Sequence, residues 1–116
     1  MTDSESCFFE PSIFEPPTPD KPGVPPGYEK LYEVMLKAVD QAAWGKGRQR
    51  HAVDGQPFHE QQICEITRRV GRGYPLGQAI KKCIESQRLD RDAAVNEILG
   101  AINYLCADVI CLLEEL

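Results

Sequence analysis

The sequence predicts an all-α protein, a four-helix bundle-like domain preceded by an extended arm, and three observations carry that expectation. Four stretches between Tyr28 and Glu115 repeat apolar residues at steps of three and four, the period of an amphipathic helix. No stretch alternates apolar and polar residues with period two for long enough to argue a strand. Seven prolines crowd between Pro11 and Pro26, and none falls inside a periodic stretch except near its start. A proline ring holds the backbone at extended angles and removes an amide donor. Residues 1–26 are therefore expected to form a proline-rich extended arm and residues 27–116 the α-helical domain. The arm keeps Phe8, Phe9, Ile13, Phe14 and Val24, anchors that a solvated tail rarely retains. It is expected to lie against its own domain or a neighbouring subunit.

Tyr28, Leu31, Tyr32, Met35, Val39 and Ala42 mark the inner face of a first helix, which the glycines of Trp44-Gly45-Lys46-Gly47 end. A loop runs from Gly45 to Gln56. Pro57 suits a first helical turn, and Phe58, Ile63, Ile66 and Val70 give a second helix its apolar face before Gly71 stops it. Pro75 opens a third helix, with Leu76, Ala79, Ile80, Cys83 and Ile84 expected inward and Lys81, Lys82 and Glu85 outward. Asp90 is placed to cap a fourth helix from about Arg91 to Glu115.

That fourth helix is apolar around most of its circumference: Ala94, Val95, Ile98, Leu99, Ile102, Leu105, Cys106, Val109, Ile110, Leu112 and Leu113 leave only a narrow polar face. Three short helices can cover part of such a surface. A helix-mediated homo-oligomer completes the burial, and Gly100, Ala101 and Ala107 would let another helix approach closely.

The chain has 116 residues and a net charge of −5, which suits one compact domain of modest core. No run of about 18 uncharged apolar residues marks a membrane span, and acids stand where a secretory leader needs a basic start. A cytoplasmic location without membrane association is expected. The five cysteines, an odd number without a C-x-x-C pair, suit neither a disulfide framework nor a zinc site. Cys64, Cys83 and Cys106 fall on apolar stripes and are expected to be small buried hydrophobes.

Charge is segregated along the chain. From Gly45 to Arg91 there are ten Lys or Arg against five acids, a basic island of +5 within the −5 total. Such an island focuses a positive potential on an anionic partner. Its first cluster is Lys46, Arg48, Arg50 and His51 beside two glycines, where backbone amides can approach an oxyanion and guanidinium groups match phosphate. The second is Arg68, Arg69 and Arg72 around the turn before the third helix. Arg68 and Arg72, four apart, share a face, and Tyr74 could stack on a base. A helix start is itself favourable to an anion. The alternative for this second group is ion pairing of Arg72 and Lys81 or Lys82 with the acidic last helix. His51 and His59 flank Asp54, but the spacing is not that of a metal site. No metal, cofactor or catalytic residue is expected.

Two resemblances accompany these residues. Gly45 to His51, Gly77-Gln78-Ala79-Ile80-Lys81-Lys82 and Glu97 to Leu105 resemble small uncharacterised proteins of bacterial viruses, over most of Trp44 to Leu113. The helical layout, with Glu97 near the start of a long helix, is similar to that of MazG-like nucleotide pyrophosphohydrolases. In that family, paired E-x-x-E and E-x-x-D motifs hold magnesium against a triphosphate. Here Glu29 and Glu33 are four apart, and Glu97-Ile98-Leu99-Gly100 has one carboxylate.

The function expected first is a non-enzymatic, oligomeric binder that sequesters a phosphate-bearing nucleotide, cyclic ones included, similar in kind to viral anti-defence proteins. Lys46, Arg48, Arg50, Arg68 and Arg72 would hold phosphate, with His51, Tyr74 and Gln78 reading the remainder. Alternatives are a MazG-like pyrophosphohydrolase and an inhibitor that binds a host protein. Nucleic acid is the weaker partner, because the glycine turn resembles a helix-turn-helix only loosely and the net charge is negative.

Overall fold

The computed structural model describes residues 23–45, 48, 50 and 55–115. The arm expected over residues 1–26 lies outside them apart from residues 23–26, as do Lys46 and His51. Among the described residues there are four α-helices and no strand: α1 (Glu29–Trp44), α2 (Gln62–Val70), α3 (Gly73–Ser86) and α4 (Arg91–Glu114). The all-α class is as expected.

The chain divides into two units, Met1–Glu33 and Val34–Leu116. In the first, the Tyr28 amide donates to the Pro25 carbonyl at 3.1 Å, closing a turn whose Gly27 has φ +90°. That left-handed value favours glycine. The Gly27 amide donates to Glu29 Oε1 at 3.1 Å, and α1 begins there.

In the second unit, a 3-10 turn at Phe58–Glu60 precedes α2, shortening the second helix relative to its expected start. Gly71 ends α2 as expected, with φ +96° and its amide donating to the Thr67 carbonyl. Asp90 caps α4, its Oδ1 accepting from the Ala93 amide at 3.0 Å. The core gathers Ile63 and Cys64 of α2, Ala79 of α3, and Ala101, Tyr104, Ala107 and Cys111 of α4, with Phe58, Tyr74 and Ile110 packed against it. Alanines at the α3–α4 contact let two helix backbones approach.

The facing of all four helices differs from expectation, that of α2 at its last residue, Val70, which is exposed. On α1, Ala38 is buried while Leu31 and Val39, expected inward, are exposed. On α3 the buried residues are Pro75, Ala79 and Lys82, whereas Ile80 and Ile84 are about 60 % exposed and Cys83 is exposed. On α4 the buried face carries Asn103, Tyr104 and Asp108 among Leu99, Ala101, Ala107 and Cys111, while Val95, Ile98, Leu105, Val109 and Leu113 are exposed. The reason is pairing. Asp108, Asn103 and Glu97 each find a partner on another helix, which offsets the cost of removing a polar group from water. Gly100 also has a different role: a Cβ there would meet the Lys82 side chain at 3.1 Å, so the glycine makes room for a lysine of α3.

Among the described helices, α4 is long and apolar enough to cross a membrane by length and composition, with mean hydropathy 1.5 and 44 % of its most apolar window buried in the bundle.

The cysteines divide by burial. Cys64 and Cys111 are buried, Cys106 is half-buried and Cys83 is exposed, so the expected burial fails at Cys83. Burial, and next the neighbouring Cys111, push the Cys64 thiol up to about 12, which keeps it un-ionised and unreactive near neutrality. In a native thiol titration, Cys83→Ser should remove one fast-reacting equivalent, whereas Cys64→Ser should remove one that reacts only on unfolding. The reverse assignment would contradict this packing.

Candidate functional site

A cavity of about 240 Å³ lies within the second unit, lined by α1, α2, α3, α4 and the residues before α2 and α4, apolar groups such as Phe58, Ile63 and Leu89 among them. Its charged groups are Arg50, Lys82 and Glu97, and its amides come from Gln41, Gln61, Asn96 and Asn103. The volume exceeds the roughly 150 Å³ that admits a benzene ring. It falls just below the usual range of about 300–1,000 Å³ for drug-sized ligands. A single heteroaromatic base, or a phosphate with part of its sugar, matches that space.

Lys82 is the centre of this site. It is 8 % exposed, and its Nζ lies 3.5 Å from Glu97 Oε1 and 5.9 Å from the Tyr104 ring centroid. Lysine is rarely buried without a close partner. An N···O distance of 3.5 Å is long for a charge-assisted hydrogen bond, and an ammonium has three donors. Chemically the group is a point cation in a confined space, able to accept a second anionic partner.

The amides around it are braced. Gln41 Nε2 donates to the Asn96 carbonyl at 2.8 Å, Asn103 Nδ2 to the Ala38 carbonyl at 3.0 Å, and Gln61 Nε2 to the Gln56 carbonyl at 3.0 Å. Asn103 Nδ2 also donates to Gln41 Oε1 at 3.4 Å, so these two amides hold each other in orientation. The hydrogen-bonding capacity that remains on the lining amides is of the kind that reads a base edge. Tyr104 packs edge-on against Tyr74, with centroids 5.7 Å apart and planes at 80°. Burial and then the hydrogen bond with Tyr74 push its hydroxyl well above the ordinary value, so it remains a neutral hydroxyl.

The expected site residues separate into groups. Arg50 lines the cavity. Arg48 lies over the Trp44 ring, 5.6 Å from its centroid. Gln78 is half-buried on α3, and Tyr74 belongs to the core edge just described. Arg68 lies on α2 and Arg72 beyond its end, just before α3, so the helix face expected to carry both is interrupted at Gly71, and each meets a different carboxylate of α4. Arg68 holds Glu114 through Nε at 2.9 Å and Nη2 at 2.8 Å, and also donates to the His59 carbonyl. Those hydrogen bonds hold the Glu114 carboxyl below its usual range. Arg72 holds Asp108 through Nε at 2.9 Å and Nη2 at 3.0 Å. The alternative of pairing with the acidic last helix is thus the one realised at Arg72 and at Lys82. Both arginines use their planar donor pairs on α4, bracing α2 and the start of α3 against it.

Lys82, Glu97, Asn103, Gln41, Gln61 and Asn96 are the residues that sequence reasoning missed as a site. One signal was present: Lys82 lies three and seven residues beyond Ala79 and Pro75, on one helical face. Among the described residues, no group of three or more His, Cys, Asp or Glu side chains is placed to hold a metal ion.

Comparison with protein-family models, with curated proteins and with solved structures finds no match for this chain.

Proposed function

We propose that this protein is a non-enzymatic, cytoplasmic homo-oligomer that binds and sequesters a phosphate-bearing nucleotide. The anionic part lies at Lys82 and Arg50, and the base-sized part among Gln41, Asn96 and Asn103. The observation that carries this reading is the buried Lys82, at 8 % exposure, in a cavity whose charged lining sums to one net cation. A lysine taken from water at this depth carries a desolvation cost that a single long ion pair offsets only in part. A second anion completes the compensation. Arg68 and Arg72 are structural in this reading, and the cavity replaces their turn as the ligand site. Its size favours a mononucleotide, or one lobe of a larger nucleotide, over a whole dinucleotide.

The test is calorimetric titration with a panel of linear and cyclic mononucleotides and dinucleotides, followed by denaturation and recovery of the ligand. Micromolar binding with intact ligand recovered is expected. Hydrolysed product would favour the pyrophosphohydrolase alternative, and no binding at millimolar concentration would reject the proposal.

A further inference from the structure

One buried polar atom of the cavity wall is left without a partner. Asn103 is 9 % exposed and lines the cavity. Its Nδ2 donates to the Ala38 carbonyl at 3.0 Å and to Gln41 Oε1 at 3.4 Å, which engages both amide hydrogens. A backbone carbonyl only accepts, so the Ala38 contact fixes which end of the amide is nitrogen. The other end, Oδ1, accepts no hydrogen bond among the described residues. A buried acceptor left in that state is costly, and in a native structure it calls for an explanation. Beside it, Gln41 is fixed in the same way, because its Nε2 donates to the Asn96 carbonyl at 2.8 Å. Its Oε1 receives the one long bond from Asn103 and keeps a second lone pair. The wall of the cavity therefore holds two oriented amide oxygens on neighbouring side chains, both short of donors.

We infer that Asn103 Oδ1 and Gln41 Oε1 determine base specificity, selecting a nucleobase with an exocyclic amino group (adenine, cytosine or guanine) over one that lacks it (hypoxanthine or uracil). This selection rests on the nucleotide reading proposed above. An amino group carries two hydrogens that diverge from one nitrogen, so it can supply both oxygens at once. A sugar hydroxyl has one hydrogen to give. An oxo group in the same place sets a third oxygen against the two, and a ring N–H beside it satisfies one of them at most. An aliphatic ammonium also carries several hydrogens, but Arg50 and Lys82 already outnumber Glu97 in the cavity lining, so a further cation is opposed. A neutral aromatic amine on a molecule whose negative charge lies at Lys82 meets both demands. Recognition of this kind discriminates strongly, because the wrong base leaves buried acceptors unpaired.

The experiment is calorimetric titration of the full chain with linear and 3′,5′-cyclic monophosphates taken in pairs: adenosine against inosine, cytidine against uridine, and guanosine against inosine. In the pair that contains the tightest binder, the amino-bearing member should bind about 10–100-fold more tightly. Purine riboside monophosphate, with hydrogen in place of the adenine amino group, should fall between adenosine and inosine monophosphates, because it lacks the donor without adding an opposing oxygen. Gln41→Met removes one of the two oxygens at a half-buried position and leaves the bond from Asn103 to Ala38, with circular dichroism to confirm helix content. It should narrow the preference to less than about 10-fold, the loss of one hydrogen bond. A purely structural role for Gln41 would weaken both members of a pair alike and keep their ratio, which would overturn the two-oxygen site. Equal affinities within every pair, or tighter binding of the oxo member, would overturn the selection and leave the nucleotide reading standing. Binding of none of these nucleotides at millimolar concentration would overturn both.

Discussion

Replacing Lys82 by methionine is expected to leave the fold at least as stable as wild type while weakening nucleotide binding by about 10–100-fold, the loss of one charge-assisted hydrogen bond. Methionine fills a similar volume and needs no counter-charge. Replacing both members of a buried ion pair with apolar groups is often neutral or stabilising by about 1–4 kcal/mol, whereas removing one is costly only when the other stays buried without a partner. Glu97, whose side chain is 24 % exposed, can recover hydration once its partner is gone. The reciprocal change should act with the opposite sign. Glu97→Gln removes the counter-charge but leaves the lysine beside Gly100, costing about 1–3 kcal/mol, while anion affinity rises because the competing carboxylate has been removed. Thermal unfolding and calorimetric titration of both variants read the two effects. A Lys82→Met protein that loses several kcal/mol and binds nucleotide normally would show that the lysine serves the fold alone.

Arg72→Ala should be among the most destabilising surface-accessible changes in the chain, at about 2–4 kcal/mol, because it leaves Asp108 buried without its bidentate partner. The Asp108 side chain is 6 % exposed, and that of Arg72 is 54 % exposed. This asymmetry decides the outcome. Removing the arginine strands a buried carboxylate, whereas Asp108→Leu merely returns a guanidinium to water. Asp108→Leu should therefore cost under half as much. Against a total stability of about 5–15 kcal/mol for a small domain, the arginine variant should show a clearly lower urea midpoint at unchanged slope. Equal costs for the two variants would mean that the pair is exchangeable and does not brace α3 against α4. Neither variant should abolish nucleotide binding, since both lie outside the cavity.

The helical class and most helix ends were legible because their signals are local. Asp90 caps the residue three positions on, and Gly71 stops α2 within one turn. Facing was less legible. Periodicity shows that α4 is apolar on most sides with a narrow polar face, but not that the polar face meets the core. That choice depends on partners 36 residues away for Asp108 and 65 for Asn103, which no local window contains. The inner face of α4 mixes both kinds, Leu99, Ala101, Ala107 and Cys111 with Asn103 and Asp108, the polar groups being satisfied by specific partners. The site followed the same logic. The spacing of Arg68 and Arg72 suggested one helix face, but α2 ends at Val70 between them, and the acids waiting on α4 were an alternative rather than the leading reading. Lys82 was read as a surface charge because lysines usually are. Only the glycine at position 100, which leaves space for its stem, allows it to turn inward.

Nuclear magnetic resonance titration of the labelled full chain with the tightest-binding nucleotide, and with orthophosphate, tests the central claim most directly. The account predicts shifts concentrated at the Gly100 amide, the side-chain amides of Gln41, Asn96 and Asn103, and the Lys82 side chain. Shifts confined to the turn that carries Arg68 and Arg72, or no shift with either probe at millimolar concentration, would contradict it.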